Sequence, residues 1–237
     1  MQLSKQKLFS ALFLAIVSLA ILMMAVPRFI ASLYVLYPES VISHPSDNIP
    51  AEAYTQSLKA LDSALAWDDN PDYWQAKSVC HFALVNYPNT PLVQQYLHFI
   101  EARKAMVLGL SLSPVDASAW FKLAFANKTL QQPASAVTDA LRLSVYAARV
   151  EPELTLQRWV LAYTYWDYLT IEDKSLWLKQ VPIAWQYMPK KLVSFVIENP
   201  SAKSLVESAL INNVDGLNSF NETYDNAIKK FISTPNH

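Results

Sequence analysis

Residues Leu8 to Val26 form 19 consecutive positions without a charge, and the chain beyond them changes character. From about residue 51 onward, apolar and polar positions recur at helical spacing, and no stretch alternates with the strict period of two that a half-buried strand requires. The pattern predicts helices near 51–66, 72–86, 92–111, 116–130, 134–148, 153–168, 171–187, 190–198, 201–211 and 217–232. The connections between them are short, so consecutive helices are expected to pack as antiparallel hairpins. Asn70-Pro71, Thr90-Pro91, Ser113-Pro114 and Asn199-Pro200 each place a capping residue before a proline, the arrangement favoured at a helix start. Asp116 is expected in a first helical turn, where a carboxylate favours the helix dipole. Thr170 with Asp173 resembles a capping box, and Pro182 is expected to kink or break its helix.

The uncharged run is of a different kind. As a helix it covers roughly 28 Å, close to the hydrocarbon thickness of a bilayer. Its far end reads Met24-Ala25-Val26-Pro27-Arg28, with no small-x-small cleavage site, so it reads as an uncleaved signal anchor rather than a cleaved signal peptide. Lys5 and Lys7 precede it and only Arg28 follows before Glu39. That asymmetry favours the N-terminus in the cytoplasm. Tyr34 and Tyr37 suit the outer interface. The division expected is a membrane anchor over 1–30, a linker over 31–50 and one helical domain over 51–237.

Composition narrows the function. Two glycines in 237 residues, Gly109 and Gly216, exclude glycine-rich dinucleotide and phosphate loops. Beyond residue 30 the chain carries 16 basic and 20 acidic residues, a net of −4. That is no footprint for nucleic acid. Cys80 is the single cysteine, so no intramolecular disulfide is possible and the thiol is expected to be buried.

Pro114, Pro152 and Pro189 recur at intervals of 38 and 37 residues. After the first, Trp120, Leu123 and Ala124 fall at the large and small positions of a tetratricopeptide repeat, and Ala136 falls at the small position of its second helix. After the second, Arg158, Leu161, Ala162 and Tyr165 hold the matching offsets. The fold class expected is therefore all-α: antiparallel helix hairpins in a degenerate tetratricopeptide-like array, preceded by one transmembrane helix. Hairpin packing without repeat ancestry accounts for the same pattern.

The run LSLSPVDASAWFKLAFANKTLQQPASAVTDALRLSVYAARVEPELTLQRW, with the later Ala184-Trp185, resembles the VpsP type, small single-pass proteins found with exopolysaccharide biosynthesis machinery in Gram-negative bacteria. The resemblance covers roughly residues 95–190. It implies an inner-membrane anchor, a periplasmic helical domain and an accessory role beside polysaccharide synthesis or export proteins. It supplies no catalytic residue.

The residues themselves offer little chemistry. His81 and His98 fall on consecutive helices at similar heights, and Glu101 shares the His98 face. The three have the composition of a two-histidine, one-carboxylate metal site, but no sequence motif supports one, and ordinary polar pairing on helix surfaces explains the same residues. Cys80 and His81 point in different directions on one helix. Asp68, Asp69 and Asp72 lack calcium-loop spacing. No nucleophile motif stands out. No catalytic, cofactor or metal residue is assigned, and a binding protein rather than an enzyme is expected.

The aromatics carry the sharper expectation. In a tetratricopeptide groove the positions after Trp120 are Phe121, Phe125 and Lys128, and those after Arg158 are Trp159, Tyr163 and Trp166. Such a row docks an apolar helix of a partner or stacks on sugar rings. Alternatively, C-terminal helices cover it. The function expected is that of a membrane-anchored periplasmic accessory protein that binds or scaffolds exopolysaccharide or cell-surface polysaccharide biosynthesis machinery. The alternatives are a general envelope scaffold or a glycan-binding module.

Overall fold

The computed structural model describes residues 5–43 and 49–233, and among them every regular element is helical. The helices are α1 (Lys5–Ser43), α2 (Ala51–Leu65), α3 (Pro71–Val85), α4 (Leu92–Leu112), α5 (Ala117–Thr129), α6 (Ala134–Ala147), α7 (Pro152–Thr164), α8 (Ile171–Leu178), α9 (Val181–Tyr187), α10 (Pro189–Glu198), α11 (Lys203–Leu210) and α12 (Val214–Ser233). Single 3-10 turns cover Trp166–Tyr168 and Pro200–Ala202.

The chain forms two compact units, 1–114 and 115–237, where one domain over 51–237 was expected. The first unit begins with the apolar run, and α1 is long and apolar enough to cross a membrane. The expected linker over 31–50 is replaced by continuous helix as far as Ser43; residues 44–48 lie outside the described residues. Neither Pro27 nor Pro38 ends α1. Past the apolar run, one face of α1 buries Ala31 and Val35 against Leu61 and Ala64 of α2 and Cys80 of α3. This burial gives the segment a core to join, and helix is the state that presents Ala31 and Val35 on one face.

Antiparallel register in this unit is fixed at several heights. Tyr37 Oη donates to Gln56 Oε1 at 3.1 Å, and lower down Arg28 Nε lies 3.9 Å from Asp68 Oδ1. Asp62 of α2 pairs with Lys77 of α3. Between α3 and α4, Phe82 meets Phe99 edge-on at 5.9 Å. Gly109 of α4 lets the backbone of α3 approach, since a Cβ there would lie 3.2 Å from Trp74 Cβ and 3.3 Å from the Pro71 carbonyl oxygen.

The second unit starts with the α5–α6 hairpin, closed by Gln131 in the left-handed region (φ 51°). Ala124 is fully buried, as a small contact position should be. Ala136 is only half-buried; the buried line of α6 runs through Val137, Ala140, Leu141, Ser144 and Val145. The small position of α6 is therefore Ala140, one turn beyond the residue expected. Helix α7 ends at Thr164, where residues to 168 were expected to continue it. The expected helix over 171–187 is split into α8 and α9 around Lys179-Gln180. Pro182 explains the split, because it lacks the N–H that a continuous helix would bond.

Capping follows the sequence in part. Asn70 accepts from the Asp72 N–H, and Thr170 accepts from the Asp173 N–H. Asp116 is itself the cap of α5, accepting from the Ala119 N–H at 2.7 Å, rather than a first-turn residue. Thr90 instead donates to the Leu84 carbonyl, and Asn199 donates to the Phe195 carbonyl. Both satisfy the end of the preceding helix rather than the start of the next. Ser113 closes α4 and lies outside α5.

Candidate docking groove

A groove of about 300 Å³ lies between α5 and α7, lined by Phe121, Phe125, Lys128, Leu156, Gln157, Val160 and Leu161. On α5 the three residues are spaced by four and three, so they share one face. Phe125 is 44% exposed and Val160 37%, which leaves apolar surface open to water along the floor.

A buried arginine sets the rotation of α7 that opens this groove. Arg158 has no exposed surface. Its Nε donates to Ser144 Oγ at 2.8 Å and its Nη1 to the Ala148 carbonyl at 2.9 Å. Ser144 in turn donates to the Ala117 carbonyl at 2.5 Å. The three groups join α5, α6 and α7. Burial lowers the guanidinium pKa to about 10, so it stays charged at neutral pH. With Arg158 fixed toward α6, Gln157 and Val160 face outward and Leu156 and Leu161 form the inner wall.

The expected aromatic row divides accordingly. Phe121, Phe125 and Lys128 come together in the groove. Trp159, Tyr163 and Trp166 do not join them. Trp159 is 1% exposed, stacked on Tyr163 at 5.6 Å and met edge-on by Phe195 of α10 at 5.1 Å. Tyr163 is half-buried beside the same Phe195, and its hydroxyl hydrogen-bonds Ser201 Oγ at 2.6 Å. Trp166 lies in the 3-10 turn with the Lys174 ammonium over its ring at 5.8 Å. The reason is rotational. The buried Arg158 turns the adjacent Trp159 toward α10, so α7 contributes Leu156, Gln157, Val160 and Leu161 instead. An arginine at a position normally filled by a large apolar ring was the sequence signal for that rotation.

A shallower cleft continues from Val160 to α10, lined by Lys190, Lys191, Ser194, Phe195 and Glu198. Lys128, Lys190 and Lys191 are exposed, so the borders of the two clefts are predominantly basic.

In the first unit, the histidines do meet. His81 Nδ1 and His98 Nδ1 are 3.2 Å apart, with ring centroids at 5.4 Å. One nitrogen donates and the other accepts. Burial, then the neighbouring His98, pushes the His81 pKa down to about 4, and burial lowers His98 as well. Glu101 turns away to Lys104 at 2.6 Å. Among the described residues no group of three ligand-forming side chains converges; His44 and His237 lie outside the described residues. Cys80 is fully buried and burial raises its thiol pKa to about 12, which makes it unreactive.

No protein-family model and no curated protein matches the chain.

Proposed function

We propose that this is a membrane-anchored helical accessory protein that binds an apolar segment of a membrane partner in the α5–α7 groove. The observation that carries the reading is the open apolar floor of Phe121, Phe125 and Val160, bordered by Lys128. Apolar surface of this kind, rimmed by polar groups, marks a site for a partner, and aromatic anchors in such sites carry much of the binding energy. Helix α1 supports single-pass anchoring, and Lys5 and Lys7 support a cytoplasmic N-terminus with the bulk in the periplasm of a bacterial inner membrane. Anchoring raises the effective concentration of the groove near other membrane proteins. The resemblance to the VpsP type supports synthesis or export proteins for cell-surface polysaccharide as the partners. The role assigned is binding, without turnover.

A photo-crosslinking amino acid at positions 125 and 160 of the full chain, in its native membrane, tests this. Crosslinks to a polysaccharide synthesis or export protein are expected, and Val160→Glu in the position-125 variant should abolish them. Crosslinks to an unrelated envelope protein would retain docking and remove the polysaccharide role. Crosslinks to glycan would replace docking by glycan binding, and their absence from both positions would refute the groove. A reporter fused after residue 237 should be active only in the periplasm.

A further inference from the structure

With α1 spanning the membrane, as proposed above, one end of the first unit lies at the membrane surface. Helix α1 is continuous from the apolar run into the core formed by Ala31, Val35, Leu61, Ala64 and Cys80, so height along it is set by helical rise. Arg28 lies two residues beyond Val26, about 3 Å past the end of the uncharged run. Arg28 Nε is 3.9 Å from Asp68 Oδ1, which places the α2–α3 turn at that same height. Trp67, the residue before Asp68, is 49% exposed.

The end of α4 reaches the same level. Helices α3 and α4 are antiparallel, with His81 beside His98, Phe82 beside Phe99, and Pro71 and Trp74 beside Gly109. Continuing that register sets Leu108 and Leu112 next to the start of α3. Both are large, apolar and nearly half exposed, at 44% and 46%. On α1 itself Phe29 and Leu33, one turn apart, stay mostly exposed at these heights. Exposed apolar side chains thus stand at this height on α1, in the α2–α3 turn and on α4.

We propose that Trp67, Leu108 and Leu112 form a lipid-docking surface that seats this end of the first unit in the headgroup interface of the bilayer. A tryptophan at a turn near a spanning helix is the side chain that this interface favours, and leucines at the same height are buried at the headgroup–acyl boundary. The lipid chemistry is zwitterionic. Asp68 faces Arg28, Asp69 accepts from Trp74 Nε1 at 2.6 Å, and Asp72 lies in the first turn of α3. That local negative charge disfavours anionic headgroups. The consequence is a clamped unit, held by α1 and by this surface together, rather than a domain on a flexible tether.

The inference rests on the membrane reading of α1, and the test separates the two. Full chain carrying Trp67→Cys, Leu112→Cys, Val93→Cys or Ile16→Cys, one at a time, is labelled with the NBD fluorophore and reconstituted in phosphatidylcholine vesicles. Cys80 contributes no background because it is fully buried. Val93 is 72% exposed at the opposite end of α4 and serves as the aqueous control. Labels at 67 and 112 should be blue-shifted, and reduced by dithionite about tenfold more slowly than the label at 93, as expected 5–10 Å into the interface. Adding phosphatidylglycerol should weaken the protection at 67 and 112. A protected label at 16 with labels at 67 and 112 as exposed as that at 93 overturns the lipid-docking surface alone. An exposed label at 16 overturns the membrane reading and this inference with it.

Discussion

Acidification should loosen the α3–α4 hairpin, and the size of the effect can be worked from His81. The ring is 7% exposed, and its Nδ1 lies 3.2 Å from His98 Nδ1. Burial and His98 hold its pKa near 4 in the folded state, with Lys77 acting in the same direction and Glu101 and Asp62 opposing. The unfolded chain has an ordinary histidine value near 6.5. A histidine whose folded pKa is depressed contributes stability in full above the unfolded value. As pH falls below 6.5 the unfolded chain binds a proton that the folded chain refuses, so stability drops until the folded group also protonates near pH 4. Two and a half pH units at about 1.4 kcal/mol each give roughly 3–4 kcal/mol of lost stability once the folded group has also protonated. His98 is lowered too, so it acts with the same sign. Hydrogen exchange of α3 and α4 amides on the full chain, from pH 7.5 to 4 and corrected for intrinsic exchange rates, reads this directly. Protection should fall through pH 6 and 5 in the native chain. His81→Leu, which keeps the volume and removes the titration, should flatten most of the dependence. Native protection that is flat to pH 4, or a slope unchanged in His81→Leu, would refute the reasoning.

Trp159→Ala should destabilise the second unit by about 3–5 kcal/mol, because a buried ring packed on Tyr163 and Phe195 leaves a cavity; urea unfolding of the full chain reads it. Phe125→Ala, at an exposed groove position, should change stability by less than about 1 kcal/mol while reducing partner capture in the crosslinking assay. Ala124→Phe should cost about 1–3 kcal/mol or more through overpacking, and Ala136→Phe should cost markedly less, because Ala136 is only half-buried. Equal costs for the two would show that the hairpin register is wrong.

Local physics made most of the helices legible in the sequence. Helical periodicity and short connections located α2 to α6 within a residue or two, since each has an amphipathic or apolar pattern that no strand can satisfy. The two-glycine composition, the uncharged run at Leu8–Val26 and the Pro182 break are likewise statements about the chain alone. So is half of the groove: Phe121, Phe125 and Lys128 share a face by spacing, whatever packs beside them. What the sequence left open is how each helix rotates about its axis and which helices become neighbours. Arg158 finds Ser144 and the Ala148 carbonyl only once α6 lies beside α7. That contact turns Trp159 under Phe195 and leaves Val160 outward. The extension of α1 past residue 30 was hidden for the same reason. Residues 31–43 look like a linker until Leu61, Ala64 and Cys80 supply the apolar surface that makes their helix worth forming. Spacing along one chain fixes which side chains share a face; only long-range burial decides which face is covered.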